Sequence, residues 1–122
     1  MQVANIGGKV LVIEDDEGMR ESIDSLLGAA GYGTGTYTSA EALLAAGTLD
    51  DVRCVVSDVR LGAMSGLELL SALRRRGERV PFIVVTAHDS PALRDEALRR
   101  GAAAYLAKPF AGSALLDAVA GL

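Results

Sequence analysis

Short aliphatic runs alternate along the chain with segments whose apolar residues recur every three or four positions. Lys9 to Ile13 is a compact aliphatic run and predicts a strand. Met19, Ile23, Leu26, Leu27 and Ala30 then share one helical face, with Gly31 as the stop. Gly33 to Thr38 is Thr-rich and less apolar, the pattern of a strand at a sheet edge. Thr38-Ser39-Ala40-Glu41 predicts a capping box that opens a short helix ending near Gly47. Val52 to Ser57 is almost wholly aliphatic, as expected of a strand covered on both faces. Ser65-Gly66-Leu67-Glu68 is a second capping box, ahead of a helix that ends at Gly77. Pro81 to Thr86 predicts another buried strand. Ser90-Pro91 then places an N-cap and an N1 proline before a helix closed by Gly101. Ala103 to Ala107 is the last predicted strand, and Gly112 to Leu122 the last helix.

This alternation predicts an α/β fold, a doubly wound (βα)₅ domain whose parallel sheet carries helices on both faces. No repeat, linker or low-complexity stretch interrupts it, so residues 1–122 read as one domain. Half of the residues are hydrophobic and 23% are charged, so a sizeable core is expected rather than disorder. With only two Phe, three Tyr and no Trp, the core must be built from Val, Leu, Ile and Ala. A net charge of −4 argues against direct nucleic-acid binding. The Arg74-Arg75-Arg76 run with Arg79 fits a helix C-terminus, where cations complement the dipole. The single cysteine, Cys54, lies in an apolar run and reads as a core residue, compatible with a reducing compartment. The apolar stretches fall short of the ~20 residues that span a bilayer, and Met1 to Gly8 lacks signal-peptide character. The expectation is a cytoplasmic protein without membrane contact.

In a parallel sheet all strands end on one edge, and ligands bind there, where the strand order reverses. Here strand 1 ends in Glu14-Asp15-Asp16, strand 3 in Asp58, strand 4 in Thr86-Ala87 and strand 5 in Lys108-Pro109. The order 2-1-3-4-5, borrowed from known doubly wound sheets, would make strands 1 and 3 neighbours and bring the acidic run beside Asp58. Clustered carboxylates repel unless a cation sits among them. Oxygen ligands without nearby His or Cys point to Mg²⁺, Mn²⁺ or Ca²⁺. A hydroxyl, a lysine, a divalent ion and a nucleophilic carboxylate together suit phosphoryl transfer.

These residues resemble the response-regulator receiver domains of two-component signalling, chemotaxis-type receivers included. The resemblance runs from Lys9 to Leu122. It rests on Val10-Leu11-Val12-Ile13-Glu14-Asp15-Asp16, Val55-Val56-Ser57-Asp58, Met64-Ser65-Gly66, Val85-Thr86-Ala87 and Lys108-Pro109-Phe110. It implies that Asp58 accepts a phosphoryl group from a sensor histidine kinase or a histidine phosphotransfer protein. It implies Mg²⁺, with Mn²⁺ able to substitute, held by Asp15, Asp58 and the backbone carbonyl of Arg60, with Glu14 acting largely through water. Thr86 and Lys108 would hold the phosphoryl oxygens, and the Lys108-Pro109 peptide would be cis. Tyr105 stands at the family's switch position, and its ring is expected to lean outward, or to mix rotamers, before phosphorylation. The switched face would be helix 4, strand 5 and helix 5, with Arg94, Arg99 and Arg100 exposed for an output domain or a homodimer. The wording looks closest to receivers joined to helix-turn-helix modules.

Two departures bear on the site. Gly62 stands where the family usually has proline, which predicts a freer loop after Asp58. His88, two residues past Thr86, stands where side chains modulate hydrolysis. An aspartate-nucleophile phosphatase would share the carboxyl-edge chemistry but needs a second aspartate where Arg60 stands. A degenerate, binding-only receiver is the other rival, against which the intact acid pair, Asp58, Thr86 and Lys108 argue. Gly31-Tyr32-Gly33-Thr34-Gly35 follows a helix, the reverse of a dinucleotide fingerprint, and Gly7-Gly8-Lys9 does not complete a P-loop.

Overall fold

The computed structural model describes residues 8–46 and 49–122. The predicted glycine stop at Gly47 lies outside the described residues. The elements are β1 (Lys9–Ile13), α1 (Glu17–Ala29), β2 (Thr34–Tyr37), α2 (Ala40–Ala45) and β3 (Val52–Asp58). They continue with α3 (Gly66–Arg75), β4 (Phe82–Thr86), α4 (Pro91–Arg99), β5 (Ala104–Ala107) and α5 (Gly112–Ala120). The strands form one parallel sheet in the order β2-β1-β3-β4-β5. β2 is an edge strand, as its weak apolar pattern predicts, and the Thr34 hydroxyl ties it to Asp24 of α1.

Side chains of a strand alternate between faces, so each central strand feeds two cores. Val10 and Val12 of β1, Cys54 and Val56 of β3, and Ile83 and Val85 of β4 pack with Ile23 and Leu27 of α1 and Leu115 and Val119 of α5. Leu11, Ile13, Val55, Phe82 and Val84 face the other way, against Leu43 of α2, Leu70 and Leu73 of α3 and Ala97 of α4. This two-sided burial is why β3 and β4 are nearly continuous aliphatic runs.

Local chemistry sets most helix ends. Asp16 caps α1 by accepting from the Met19 N–H at 2.8 Å. Ser65 and Glu68 close the predicted capping box at α3. Ser90 and Pro91 open α4 as expected. Gly31, Gly77 and Gly101 all follow helix ends with positive φ, the conformation that lets a chain turn out of a helix at no side-chain cost.

Three expectations are corrected. The cap of α2 is Ser39, not Thr38: its hydroxyl accepts from the Ala42 N–H, so Glu41 falls one place short of a capping box. Either hydroxyl could cap, and burial of Ala40 and Leu43 selects the register that points α2 at the core. Ala30 is exposed because it is the C-cap, past the last turn that faces the sheet. Gly62 has φ +98°, a conformation closed to proline, whose ring holds φ near −65°. Glycine there does more than loosen the loop: it permits a turn that the family's usual residue could not make.

Candidate functional site

The ends of β1, β3, β4 and β5 meet at one edge. Glu14 and Asp15 follow β1 directly, and the parallel pairing of β1 with β3 sets Ile13 beside Ser57, one residue before Asp58. Carboxylate oxygens of Glu14, Asp15 and Asp58 all lie within 4.8 Å of one another. Asp15 is exposed, whereas Glu14 and Asp58 are buried. The Lys108 Nζ crosses from the end of β5 to donate to Glu14 Oε1 at 2.7 Å and Asp58 Oδ2 at 2.8 Å. The Lys108-Pro109 peptide is cis.

Several of these groups are held by further contacts. Glu14 Oε2 accepts the Asp16 N–H, so both oxygens of Glu14 are engaged. Asp58 Oδ1 accepts the Arg60 N–H at 3.1 Å, while the Arg60 side chain is exposed. Thr86 is fully buried, and its Oγ1 accepts the His88 N–H at 3.0 Å. His88 itself is exposed at the rim. Tyr105 is only 7% exposed, with its hydroxyl donating to Asp89 Oδ1 at 2.9 Å. The ring lies inward, among the α2–α3–α4 core residues. Arg100 is not a free surface charge either, because it pairs with Glu96 and donates to the Leu67 carbonyl and Ser71 of α3. Arg94 and Arg99 are exposed as expected.

The electrostatics follow from burial and charge. Burial pushes Glu14 above the usual carboxylate range; the Lys108 hydrogen bond offsets this only in part, and the Asp58 charge adds to it. Burial also draws Lys108 downward, but its hydrogen bonds to the Asp58 and Glu14 carboxylates and their charges outweigh it and hold the ammonium above its ordinary value.

Sequence reasoning named each of these residues but missed their supports. Ser57 donates from its buried hydroxyl to the Asp58 carbonyl at 2.8 Å, and Arg20 donates to the Glu14 carbonyl at 3.0 Å. Asp89 was unremarkable before Ser90. No spacing or pattern marks such contacts, since each joins a side chain to one backbone atom or to one distant hydroxyl.

Residues 10–120 match the family model described as the response regulator receiver domain. The chain belongs to that family. Receivers are signalling domains that accept a phosphoryl group and use a divalent metal at an acidic pocket, such as the one formed here by Glu14, Asp15 and Asp58. The receiver is 46% identical over 110 residues to the transcriptional regulatory protein FixJ of Azorhizobium caulinodans, covering 90% of this chain and 52% of that protein. It is 39% identical to the response regulator protein FleR of Pseudomonas aeruginosa, across 94% of this chain and 24% of that one. A crystal structure of full-length FixJ from B. japonicum superposes with a TM-score of 0.85 at 36% identity, covering 93% of this chain and 56% of that one. The receiver thus spans about half the length of the FixJ proteins it matches. No described helix is long and apolar enough to cross a membrane.

Proposed function

We propose that residues 1–122 form one receiver domain that takes a phosphoryl group onto Asp58 from a phosphohistidine. The donor is a sensor histidine kinase or a histidine phosphotransfer protein, and the place of action is the cytoplasm. One observation carries the reading: the Lys108 ammonium bridges Asp58 and Glu14 beside three converging carboxylates at the sheet's carboxyl edge.

The donor set is all hard oxygen and fits Mg²⁺, with Mn²⁺ able to substitute. Asp15, Asp58 and the Arg60 carbonyl would hold the ion. Glu14 has both oxygens engaged, which supports a role through water. Bound there, the ion would neutralise charge on the carboxylates and on the phosphoryl oxygens.

An Asp58 carboxylate oxygen attacks phosphorus in line. The P–N bond breaks, its electron pair leaves with the imidazole, and an acyl phosphate forms on Asp58. Lys108 compensates the phosphoryl charge from one side. Thr86 spends an oxygen lone pair on the His88 N–H, which leaves its own proton to donate to a phosphoryl oxygen. His88 at the rim would modulate the lifetime of the acyl phosphate. Arg60 stands where a phosphatase of this chemistry would need an acid, so hydrolysis is slow turnover of the signal rather than the task. The face of α4, β5 and α5, with Arg94 and Arg99 exposed, is the surface for an output domain or a homodimer.

Incubation with acetyl phosphate and Mg²⁺ should add a single phosphoryl mass increment to the intact chain. Asp58→Asn should remove it. Labelling of the variant to the parent's extent overturns the assignment.

A further inference from the structure

The turn between β1 and α1 carries two of the three site carboxylates, Glu14 and Asp15, and one cation of α1 reaches back over it. Arg20 Nη1 donates to the Glu14 carbonyl at 3.0 Å, while the Arg20 backbone N–H donates to the Asp16 carbonyl at 2.9 Å. Arg20 is half-buried in this position. The Glu14 carboxylate is held directly, on one oxygen by Lys108 and on the other by the Asp16 N–H. Asp15 is different. Its carboxylate is exposed, and no side chain or amide among the described residues bonds to it. The aim of Asp15 therefore depends on its backbone. The Glu14 carbonyl and the Asp15 N–Cα bond lie in one rigid peptide plane. A guanidinium that pins this carbonyl also fixes the direction in which Asp15 leaves the chain.

We propose that Arg20 is a positioning residue for the divalent ion: by pinning the Glu14–Asp15 peptide it aims Asp15 into the site and strengthens metal binding. The inference rests on Glu14, Asp15 and Asp58 being the metal site. Two effects of Arg20 oppose each other. As a charge it is a hindrance, since a guanidinium beside the acid pair repels a divalent ion and its removal should tighten binding. As a hydrogen-bond donor it is a support, because groups that orient metal ligands from behind contribute roughly 10- to 100-fold in affinity. The repulsion is screened by salt over ~8–10 Å, whereas the bond to the carbonyl acts through the backbone at any salt concentration. Position therefore wins. The sign of the change on removing Arg20 separates the two effects.

The probe is Mn²⁺, with the free ion read by electron paramagnetic resonance in the parent, Arg20→Met, Arg20→Lys, Arg53→Met and Asp15→Ala chains. Circular dichroism and denaturant midpoints establish that each chain is folded and how stable it is. Arg53 supplies the comparison. It too ties backbone carbonyls, those of Val119 at 3.2 Å and Ala120 at 3.4 Å, but from the start of β3, at the opposite edge of the sheet. Arg20→Met should bind Mn²⁺ about tenfold more weakly than the parent. Arg20→Lys keeps the charge on a shorter, less directional donor and should fall between them, and it decides by the same rule if Arg20→Met does not fold. Arg53→Met loses the same charge and the same kind of bond, and should bind Mn²⁺ as the parent does whatever its stability. Affinity in Arg20→Met equal to or above the parent's overturns the proposal. So does an equal weakening in Arg53→Met, which would make the effect a general loosening of the fold. A parent that binds no more Mn²⁺ than Asp15→Ala refutes the metal site itself, and the role of Arg20 with it.

Discussion

Gly66 opens α3 directly beneath Asp58, where a methyl group would run into the Asp58 carbonyl oxygen and lie 2.9 Å from Ser57 Oγ. The first obstacle is backbone and the second a buried hydroxyl bonded to that same carbonyl, so Gly66→Ala has to displace the loop that aims Asp58. We expect a loss of about 2 kcal/mol in denaturant unfolding, together with slower uptake from acetyl phosphate. A variant of parental stability would show that the loop yields freely. Cys54, fully buried between the sheet and its α1–α5 layer, has its thiol pushed up to about 11 by desolvation. An unfolded chain releases that proton near pH ~8.5. Between that pH and about 11 the folded state binds more protons, so stability should fall as pH rises through this window. Urea unfolding of the parent and of Cys54→Ala should differ in this alkaline slope, which the variant lacks. A thiol reagent at pH 8 should modify the parent only once it unfolds.

Among the elements, the helix ends offer a graded comparison. α3 begins with a complete capping box, whereas α5 begins at Ala111 with no side-chain cap. Ser65→Ala should lower stability by about 1 kcal/mol, and Ala111→Ser should raise it by a similar or smaller amount, both read from denaturant midpoints. The β3–α3 loop gives a sharper test of backbone conformation. Proline usually stabilises a loop by restricting the unfolded chain. At Gly62, with φ +98°, it must instead break the turn, so Gly62→Pro should destabilise by more than ~1 kcal/mol. A stabilised variant would mean that the loop readily takes the proline-compatible form.

At the scale of the whole molecule, binding of a divalent ion to the folded chain is linked to its stability. One weak site gives about 2.7 kcal/mol when free Mg²⁺ reaches 100 times its Kd. Thermal unfolding with rising Mg²⁺ should therefore show an increasing Tm. Asp15→Ala should abolish the increase, and Glu14→Gln should reduce it less, because Glu14 already has both oxygens engaged. The reverse order of effects would exchange the two roles. The same measurement separates metal binding from phosphoryl transfer, since Lys108→Met should retain a Mg²⁺ response while losing most uptake.

The strand and helix alternation was legible in the sequence because it is a local property. Val52 to Ser57 is nearly all aliphatic and buried from Cys54 onward, Ser65 to Glu68 can satisfy its own amides, and Gly31, Gly77 and Gly101 can turn the chain. Since parallel strands share one carboxyl edge, the same pattern gathered Glu14, Asp15, Asp58, Thr86 and Lys108. Which atoms touch was a matter for tertiary structure. Lys108 meets Asp58 across a separation of 50 residues, and Tyr105 meets Asp89 across 16. Hydroxyls at Thr38 and Ser39 can both cap, and the register with Ser39 at the cap is the one that buries Ala40 and Leu43. An aromatic at position 105 can lie in or out with little local preference. Its place among the α2–α3–α4 core residues, with the hydroxyl donating to Asp89, is a set of contacts that no periodicity encodes because it belongs to the assembled sheet edge rather than to any one segment.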